Sequence, residues 1–342
     1  MTLEIVGISV LWLFLFGYVI IASVDFGAGF FNAYSAFTNK EHVLTSIIQR
    51  YLSPVWEITN VFLVFFFVGI IGFFPKTAFY YGTTLLVPAS IAIVLLAVRG
   101  SYYAFATYGA RISHRGYIYM YGLSGLLIPA AWSTVLTISE GGFIDLVDGA
   151  PRLDYWALFL SPLTWSIVVL AIAAVLYISA VFLTWYAWKA GDSQATELLR
   201  KYALIWSLPT IVTATGIIVE LRVHNEAHFD SLLDLWWMFA LSFLLFLGTV
   251  LLLWRRKSYG FAFILLVGQF FLAFSAYGVS HYPYLLYPYL TIYDGFTNEA
   301  MAISLIIAFL AGFALLLPSL YLVLRLFLFD KDYVQGKSDY HA

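Results

Sequence analysis

The sequence predicts an all-α polytopic membrane protein with nine transmembrane helices, and two observations lead to this class. Of the 342 residues, 63% are hydrophobic and only 11% are charged, whereas a soluble domain carries about 25% charged residues. The apolar residues also form nine runs that reach the roughly 20 residues an α-helix needs to cross about 30 Å of hydrocarbon. The mean hydropathy of +0.90 agrees with this class.

The nine runs follow one another along the whole chain and are separated by polar connections. They lie at residues 5–34, 50–73, 77–108, 115–137, 155–188, 200–221, 233–254, 259–281 and 299–328. Several exceed about 25 residues, which predicts helices that tilt or extend beyond the bilayer. Kinks are expected where a proline falls inside a run, at Pro88, Pro129, Pro209 and Pro318.

Positive charge orients these helices. The connections after the first, third, fifth and seventh runs and the C-terminal end hold most of the lysines and arginines, including the cluster Arg255-Arg256-Lys257. The opposite connections hold only Lys76, Arg152 and Arg222. Because Lys and Arg are retained in the cytoplasm, we expect the N-terminus outside and the C-terminus in the cytoplasm. The first residues lack the positive region of a cleaved signal peptide, so the first run should remain as a helix.

Three ionisable residues lie inside the first three runs: Asp25, Glu57 and Arg99. Counted from the cytoplasmic helix ends at 1.5 Å per residue, they lie roughly 13, 10 and 18 Å deep. A charge at mid-bilayer costs roughly 3 kcal/mol or more and persists where it has a partner or a water-filled path. Arg99 can therefore neutralise one carboxylate as a structural clip between helices, or the carboxyls can form a proton path.

The composition also excludes several classes of function. The chain has no cysteine, so disulfides, iron–sulfur clusters and thiolate metal sites are ruled out. No basic run exceeds residues 255–257, so nucleic acid is not an expected partner. The six histidines lie in connections, at run ends or in the tail, which does not favour haem ligation by this chain. They are His42, His114, His224, His228, His281 and His341.

One histidine pair has the spacing of a metal site. His224 and His228 are four residues apart with Glu226 between them, on a connection predicted to be outside. Two side chains at that spacing share one face of a helix. No third ligand is apparent nearby in the sequence, so we expect no metal site.

Four short motifs carry a family resemblance. They are Asp25-Phe26-Gly27-Ala28-Gly29, Pro54-Val55-Trp56-Glu57, Arg99-Gly100 and Leu290-Thr291-Ile292-Tyr293-Asp294. The order and spacing of these motifs, and the length of the chain, resemble those of the second subunit of cytochrome bd-type quinol oxidases. Where that family often continues with further acidic residues, this chain has Asn60 and Ala104. A proton relay here would therefore use fewer carboxyls and rely more on water, Ser23 or Thr59.

The resemblance implies two four-helix bundles plus one peripheral helix, although no clear sequence repeat joins the two halves. Residues 1–137 would form the first bundle with the intramembrane charges, and residues 138–281 the second. Residues 282–329 would form the outside connection and the ninth helix, and residues 330–342 a polar cytoplasmic tail.

The resemblance also implies a function. In such a heterodimer a homologous haem-bearing subunit I holds haem b and haem d groups and the quinol site. The complex oxidises quinol at the outer side of the bacterial cytoplasmic membrane and reduces dioxygen to water with cytoplasmic protons. This chain would ligate no cofactor, contact lipid, support its partner and supply part of a proton path. Small single-span subunits are further candidate partners.

The residues expected to act in that proton path fall into two groups. Asp25 and Glu57 would carry the path and Arg99 would be their charge partner. Trp56, Ser23 and Thr59 would support them.

Two other classes of protein fit the same residues. A proton-coupled secondary transporter could use Asp25, Glu57 and Arg99 as a midplane site, with helix breaks at Gly27, Gly29 or Pro88. A membrane scaffold could use the three charges as helix clips only.

Overall fold

The structure is a computed structural model that describes residues 2–38, 41–108, 115–323 and 325–326. Within the helices, the side chains of residues 41–43, 45–47, 49–58, 102–108 and 115 lie outside this description. The described chain is almost entirely helical, with two short antiparallel hairpins at helix ends.

The first half of the chain contains five helices that are followed by a hairpin and a short sixth helix. They are α1 (Leu3–Phe37), α2 (Glu41–Phe73), α3 (Pro75–Thr84), α4 (Leu86–Tyr108), α5 (Arg115–Ser139), β1 (Ile144–Val147), β2 (Ala150–Leu153) and α6 (Tyr155–Leu160). The second half follows as α7 (Pro162–Ala190), α8 (Ser193–His224), α9 (Glu226–Asp234), α10 (Trp236–Trp254), α11 (Tyr259–Ser280), β3 (Tyr284–Leu286), β4 (Leu290–Thr291) and α12 (Glu299–Val323).

The two halves share one order of elements, which the sequence did not reveal. In each, two long helices are followed by a short helix, two further helices and a two-stranded hairpin: α1 to β2, and α7 to β4. The first helices of the halves, α1 and α7, pack against each other, and α5 also contacts α7. The last helix, α12, packs on α2 and α1.

The all-helical polytopic membrane class is confirmed. Among the described residues, seven helices are long and apolar enough to span a membrane. An eighth is added if the bent pair Thr59–Phe73 and Pro75–Thr84, which meet at 119°, is one span, and Leu86–Ser101 is a shorter apolar helix. The count of nine spans therefore stays a prediction.

Three of the predicted runs are not single helices in the structure, so the prediction of one helix for each was wrong. Run 77–108 contains α3 and α4 with Leu85 between them, run 155–188 breaks at Ser161, and run 233–254 begins in α9 and breaks at Leu235. Hydropathy does not detect such breaks when the break residue is itself apolar. Proline marks two of the helix starts, since Pro75 and Pro162 stand in the first turns of α3 and α7, where the missing N–H has no partner to lose.

The predicted kink positions divide in the same way. Pro129, Pro209 and Pro318 lie inside α5, α8 and α12, and the kinks expected at them stay a prediction. Pro88 instead lies in the first turn of α4, a position that a helix tolerates without a kink. The interpretation of Gly27 and Gly29 as helix breaks was also wrong, because α1 continues through both to Phe37.

The interior is divided between two large apolar clusters that meet at α1. One joins α1 to the second half and includes the fully buried Tyr177, Leu183 and Leu199. The other is rich in phenylalanine, and Phe14 and Phe309 stack edge to face with ring centroids 5.5 Å apart. Because side chains of matched shape fill this space at the density of a crystal, α1 is fixed between both halves.

Candidate functional site

Arg99 and Asp25 form an ion pair in the interior of the first half. Their side chains are 0% and 2% exposed, and Arg99 Nε donates to Asp25 Oδ2 at 3.0 Å. Arg99 Nη2 also donates to the backbone carbonyl oxygen of Asp25 at 2.6 Å. The guanidinium thus binds both the side chain and the main chain of α1. Hydrogen bonds between two charged groups are roughly twice as strong as neutral ones.

Tyr121 of α5 completes this cluster. Its hydroxyl donates to Asp25 Oδ1 at 3.0 Å, and its backbone carbonyl accepts from Arg99 Nη1 at 2.9 Å. The Arg99 Cζ atom lies 3.7 Å from the centroid of the Tyr121 ring and 5.1 Å from that of Phe26. An aromatic face attracts a cation most strongly when water is excluded. The three residues therefore join α1, α4 and α5.

Two glycines make room for the guanidinium. A Cβ atom at Gly29 would lie 3.0 Å from Arg99 Nη1, and one at Gly125 would lie 3.3 Å from the same atom. A Cβ at Gly29 would also approach the Tyr121 ring to 2.8 Å. A larger residue at Gly29 would therefore displace Arg99 or Tyr121.

Gly27 of the same motif serves the contact between the two halves. A Cβ atom there would overlap the side chain of Ser179 on α7 and approach the carbonyl oxygen of Val175 to 2.9 Å. Ser179 donates its hydroxyl to the carbonyl oxygen of Val24 at 2.9 Å. The motif around Asp25 thus combines one charged residue with two glycines that permit close approach on opposite sides of α1.

The remaining predicted site residues are only partly described. Ser23 and Thr59 are buried, at 3% and 4% exposure. Glu57 and Trp56 lie in α2, but their side chains are outside the described part of the chain. The structure therefore brings Asp25 and Arg99 together and says nothing about Glu57.

Two tyrosines near Asp25 were missed by sequence reasoning. Tyr121 is one of 25 tyrosines, and its position in α5 carries no signal of a charge partner. Tyr18 lies two turns before Asp25 in α1, and its buried hydroxyl has no hydrogen-bond partner among the described residues. The one signal available in the sequence was a comparison of the membrane depths of these tyrosines with the depth of Asp25.

A second buried polar cluster lies where α5 and α11 end. Glu140 follows α5, and the next two residues, Gly141 and Gly142, adopt φ of +83° and +79°. That left-handed backbone, which glycine adopts without strain, turns the chain away and leaves the Glu140 side chain beneath it. The side chain is 1% exposed.

The Glu140 carboxylate is surrounded by polar groups. Tyr277 donates its hydroxyl to Oε1 at 2.5 Å and Asn225 donates Nδ2–H to Oε2 at 3.0 Å. His228 Nδ1 lies 3.0 and 2.9 Å from the two oxygens, and His281 Nε2 lies 3.9 Å from Oε1. These groups come from α9, from α11 and from the residues adjoining them, so the cluster connects both halves.

The charge states of this cluster follow from burial and its neighbours. Burial raises the pKa of Glu140, but the hydrogen bond with His228, the charges of His281 and His228 and the Tyr277 hydroxyl hold that pKa below its usual value. Burial lowers the pKa of His281; the carboxylate of Glu140 opposes this shift and His228 adds to it. Glu140 is therefore an anion, and His281 loses its proton more readily than an exposed histidine.

The i, i+4 spacing of His224 and His228 does not bring their side chains together. His224 is the last residue of α8, its Nε2 lies 2.9 Å from the carbonyl oxygen of Gly141, and its ring stacks on Phe143 at 5.0 Å. The chain changes direction at Asn225, so the two histidines do not share a helix face. The expectation that no third ligand lies nearby was also wrong, because His228 faces Glu140 and His281.

The fold and the buried Asp–Arg cluster define a multi-pass membrane subunit, and comparisons with known proteins identify its class. Residues 3–327 match the family described as cytochrome bd terminal oxidase subunit II. A chain in the structure of bd oxidase from Geobacillus thermodenitrificans is 66% identical, with a TM-score of 0.85. The match covers 96% of this chain and 100% of that one.

A relative from Bacillus subtilis (strain 168) is 36% identical over 344 residues, covering 97% of each chain. That relative is named "Putative cytochrome bd menaquinol oxidase subunit II". This chain belongs to the family of cytochrome bd oxidase subunit II.

It is therefore a subunit of a respiratory terminal oxidase, an oxidoreductase complex of the bacterial cytoplasmic membrane that contains haems and a subunit I. Of the three classes that the sequence left open, the family match selects the oxidase subunit over the transporter and the scaffold.

Proposed function

We propose that this chain is the haem-free subunit of a heterodimer with a homologous subunit I that holds the haem b and haem d groups and the quinol site. Quinol is oxidised on the outer side, and dioxygen is reduced to water with cytoplasmic protons. The observation that carries this proposal is the family match over residues 3–327. We extend to this complex the menaquinol that appears in the name of the Bacillus subtilis relative.

The described histidines support the haem-free assignment. His228 Nδ1 and His281 Nε2 face the buried carboxylate of Glu140, and His224 Nε2 lies against the backbone carbonyl of Gly141. An axial haem ligand needs a ring nitrogen that faces the haem iron. These side chains do not fit that role, so we derive no redox step in this chain.

The repeated order of elements supports a division of the chain into two bundles, although the repeat itself changes over between Leu153 and Pro162. Residues 1–137 and 138–281 would form the two four-helix bundles. Residues 282–329 would add the ninth helix and residues 330–342 the cytoplasmic tail. The concentration of lysine and arginine in alternate connections supports an outside N-terminus and a cytoplasmic C-terminus.

We further infer that Asp25 and Glu57 lie on the cytoplasmic proton path, with different roles. Both carboxylate oxygens of Asp25 accept hydrogen bonds, and Arg99 balances its charge. Asp25 is thus held in place by these contacts, and Glu57 is the group that takes up and releases protons. The buried hydroxyls of Ser23, Thr59 and Tyr18 and the indole of Trp56 support a polar route around them.

The contacts of Asp25 also favour a second role, which is that of a structural clip. With Arg99 and Tyr121 it connects three helices, and those contacts are made whether or not protons pass nearby. The two roles differ in what they predict for the assembled enzyme.

The test is oxygen consumption by the purified oxidase complex with quinol, expressed per assembled complex. We expect Glu57→Gln to slow turnover by on the order of 10- to 100-fold, because an amide cannot transfer a proton, while quinol affinity stays unchanged. Asp25→Asn should lower the yield of assembled complex more than the turnover of the complex that remains. Glu299→Gln, the same change at an exposed helix start, is the control and should have no effect. Full turnover in both Asp25→Asn and Glu57→Gln would refute the path and leave the clip.

A further inference from the structure

The cluster at the ends of α5 and α11 has no role in the proton path. Glu140, His228 and His281 each offer one ligand atom, and these atoms all lie within 4.8 Å of one another. Their side chains are 1%, 3% and 8% exposed. They come from three separate elements, so no local sequence pattern explains their convergence.

The hydrogen bonds of His281 leave Nε2 facing the carboxylate. Nδ1 lies 2.9 Å from the carbonyl oxygen of Tyr284, which only accepts, so Nδ1 carries the proton. In a neutral ring, Nε2 then holds a lone pair. The oxygen nearest to Nε2 is the carbonyl of Ser139 at 3.2 Å, which already accepts from the Tyr287 N–H at 2.9 Å. A backbone carbonyl on Nδ1 is the arrangement that orients a metal-binding histidine.

The hydrogen bonds of His228 leave Nδ1 in the same situation. Ser280 donates its single hydroxyl proton to the carbonyl oxygen of Tyr277 at 2.9 Å. Ser280 therefore accepts from His228 Nε2, which lies 2.8 Å away. Nδ1 faces the two Glu140 oxygens at 2.9 and 3.0 Å, a position from which it can bind a metal ion when its proton is displaced.

We propose that Glu140, His228 and His281 bind a divalent transition metal ion, with Zn²⁺ as the best match. Two imidazoles and a carboxylate are a common zinc ligand set. Tetrahedral ligands at about 2.0–2.1 Å from the metal stand about 3.3 Å apart. The distances from the carboxylate to His228 Nδ1, 2.9 Å, and to His281 Nε2, 3.9 Å, lie on either side of that value.

Neighbouring polar groups hydrogen-bond the three ligand side chains and would hold them in position. Asn225 and Tyr277 hydrogen-bond the carboxylate, Ser280 bonds the far nitrogen of His228, and the Tyr284 carbonyl bonds that of His281. Partners of this kind orient metal ligands and raise metal affinity by about 10- to 100-fold. The bound ion links the end of α5 in the first half to α9 and the end of α11 in the second.

The direct test is the zinc content of the whole purified oxidase complex. The complex is treated with a chelator, equilibrated with zinc sulfate, desalted and analysed by mass spectrometry for zinc per complex. We expect Glu140→Gln and His281→Gln to lose one zinc equivalent each. His224→Gln is the matched control, since it removes a histidine of the same region that contacts the Gly141 carbonyl and contributes no ligand atom to the cluster. Equal zinc in all four proteins would mean an adventitious ion only and would overturn the proposal.

Two further measurements keep the proposal testable if a ligand variant fails to assemble. Ser280→Ala removes no ligand atom but frees His228 Nε2, so zinc affinity should fall by about 10-fold. X-ray absorption at the zinc edge of the wild-type complex should show two imidazoles and one carboxylate oxygen. A spectrum with fewer than two imidazoles, or unchanged affinity in Ser280→Ala, contradicts the assigned ligands.

Discussion

At the scale of single residues, Arg99 uses all three nitrogen atoms of its guanidinium in hydrogen bonds, two to Asp25 and one to Tyr121. The pair is fully buried, and the desolvation of two charges opposes most of their attraction. Its net contribution to stability is therefore small, whereas the loss of one partner is costly. Removing one partner should therefore cost more stability than removing both, and this difference can be measured.

We expect Arg99→Leu to destabilise the complex by about 3–5 kcal/mol, because it strands the buried carboxylate of Asp25. The double variant Asp25→Asn with Arg99→Leu should recover part of that loss. The measurement is the thermal unfolding of the detergent-solubilised complex, with yield as a second readout. Arg152→Leu at an exposed strand position should change little. If the double variant is no more stable than Arg99→Leu alone, the stranded charge is not the cause.

The sequence predicted this pair better than it predicted the Glu140 cluster, for a physical reason. An ionisable residue inside an apolar run is conspicuous, and the helix rise converts its position into a depth. Glu140 and His281 stand at helix ends, where charged residues are usually solvated. Their burial depends on how Gly141 turns the chain and on where the hairpin β3–β4 lies, and neither is local in the sequence.

At the scale of elements, the close contact of α1 with α7 depends on Gly27, which has no side chain. Gly27 lies against Ser179 and the main chain of Val175, so an added methyl group meets a backbone atom that cannot rotate away. Gly216 in α8 offers a contrast, because a Cβ atom there would meet no atom within 4 Å.

These two glycines form a matched pair for a prediction on packing. Gly27→Ala should destabilise the complex by about 1–3 kcal/mol through overpacking between α1 and α7. Gly216→Ala should be neutral or stabilise by up to about 1 kcal/mol, since alanine favours the helix more than glycine does. Melting temperatures of the two variant complexes provide the comparison. A Gly27→Ala complex as stable as Gly216→Ala would show that the helices can separate without loss.

The hydropathy pattern locates the long apolar runs but not the breaks within them. The sequence identified the long apolar runs and the internal prolines of α5, α8 and α12 correctly. It missed α3 and α9 as separate short helices, because Leu85 and Leu235 are apolar residues at which the chain turns. The positions of these two turns depend on contacts with the hairpins and with the neighbouring helix ends, and those contacts exist only in the folded chain.

At the scale of the whole molecule, many of the exposed side chains in the described part of the chain are large and apolar. Exposed side chains such as Leu315 at 75% and Leu244 at 61% lie on long helices, as expected for a protein whose solvent is lipid. The proposed partner must cover part of the same surface, because a second subunit of an oxidase acts only in contact with the first.

The heterodimer predicts a visible result on purification. The chain, isolated from membranes of its own host, should carry a second protein and the absorption of haem. The same chain expressed without subunit I should lack haem absorption, because its described histidines do not fit axial ligands. Colourless, solitary material from the native host would contradict the proposed complex. Haem bound to the chain expressed alone would contradict the haem-free assignment.

The repeated order of elements has an evolutionary consequence. The first copy retains a buried charge pair, whereas α10 and α11 of the second copy contain no Asp, Glu, Lys or Arg at all. A repeated scaffold allows such a division, in which a buried ion pair connects helices of one half while α10 and α11 of the other pack without charged side chains. Substitutions in α10 and α11 are then limited mainly by volume and shape, so their sequences can differ widely from those of α4 and α5 while the order of elements stays the same.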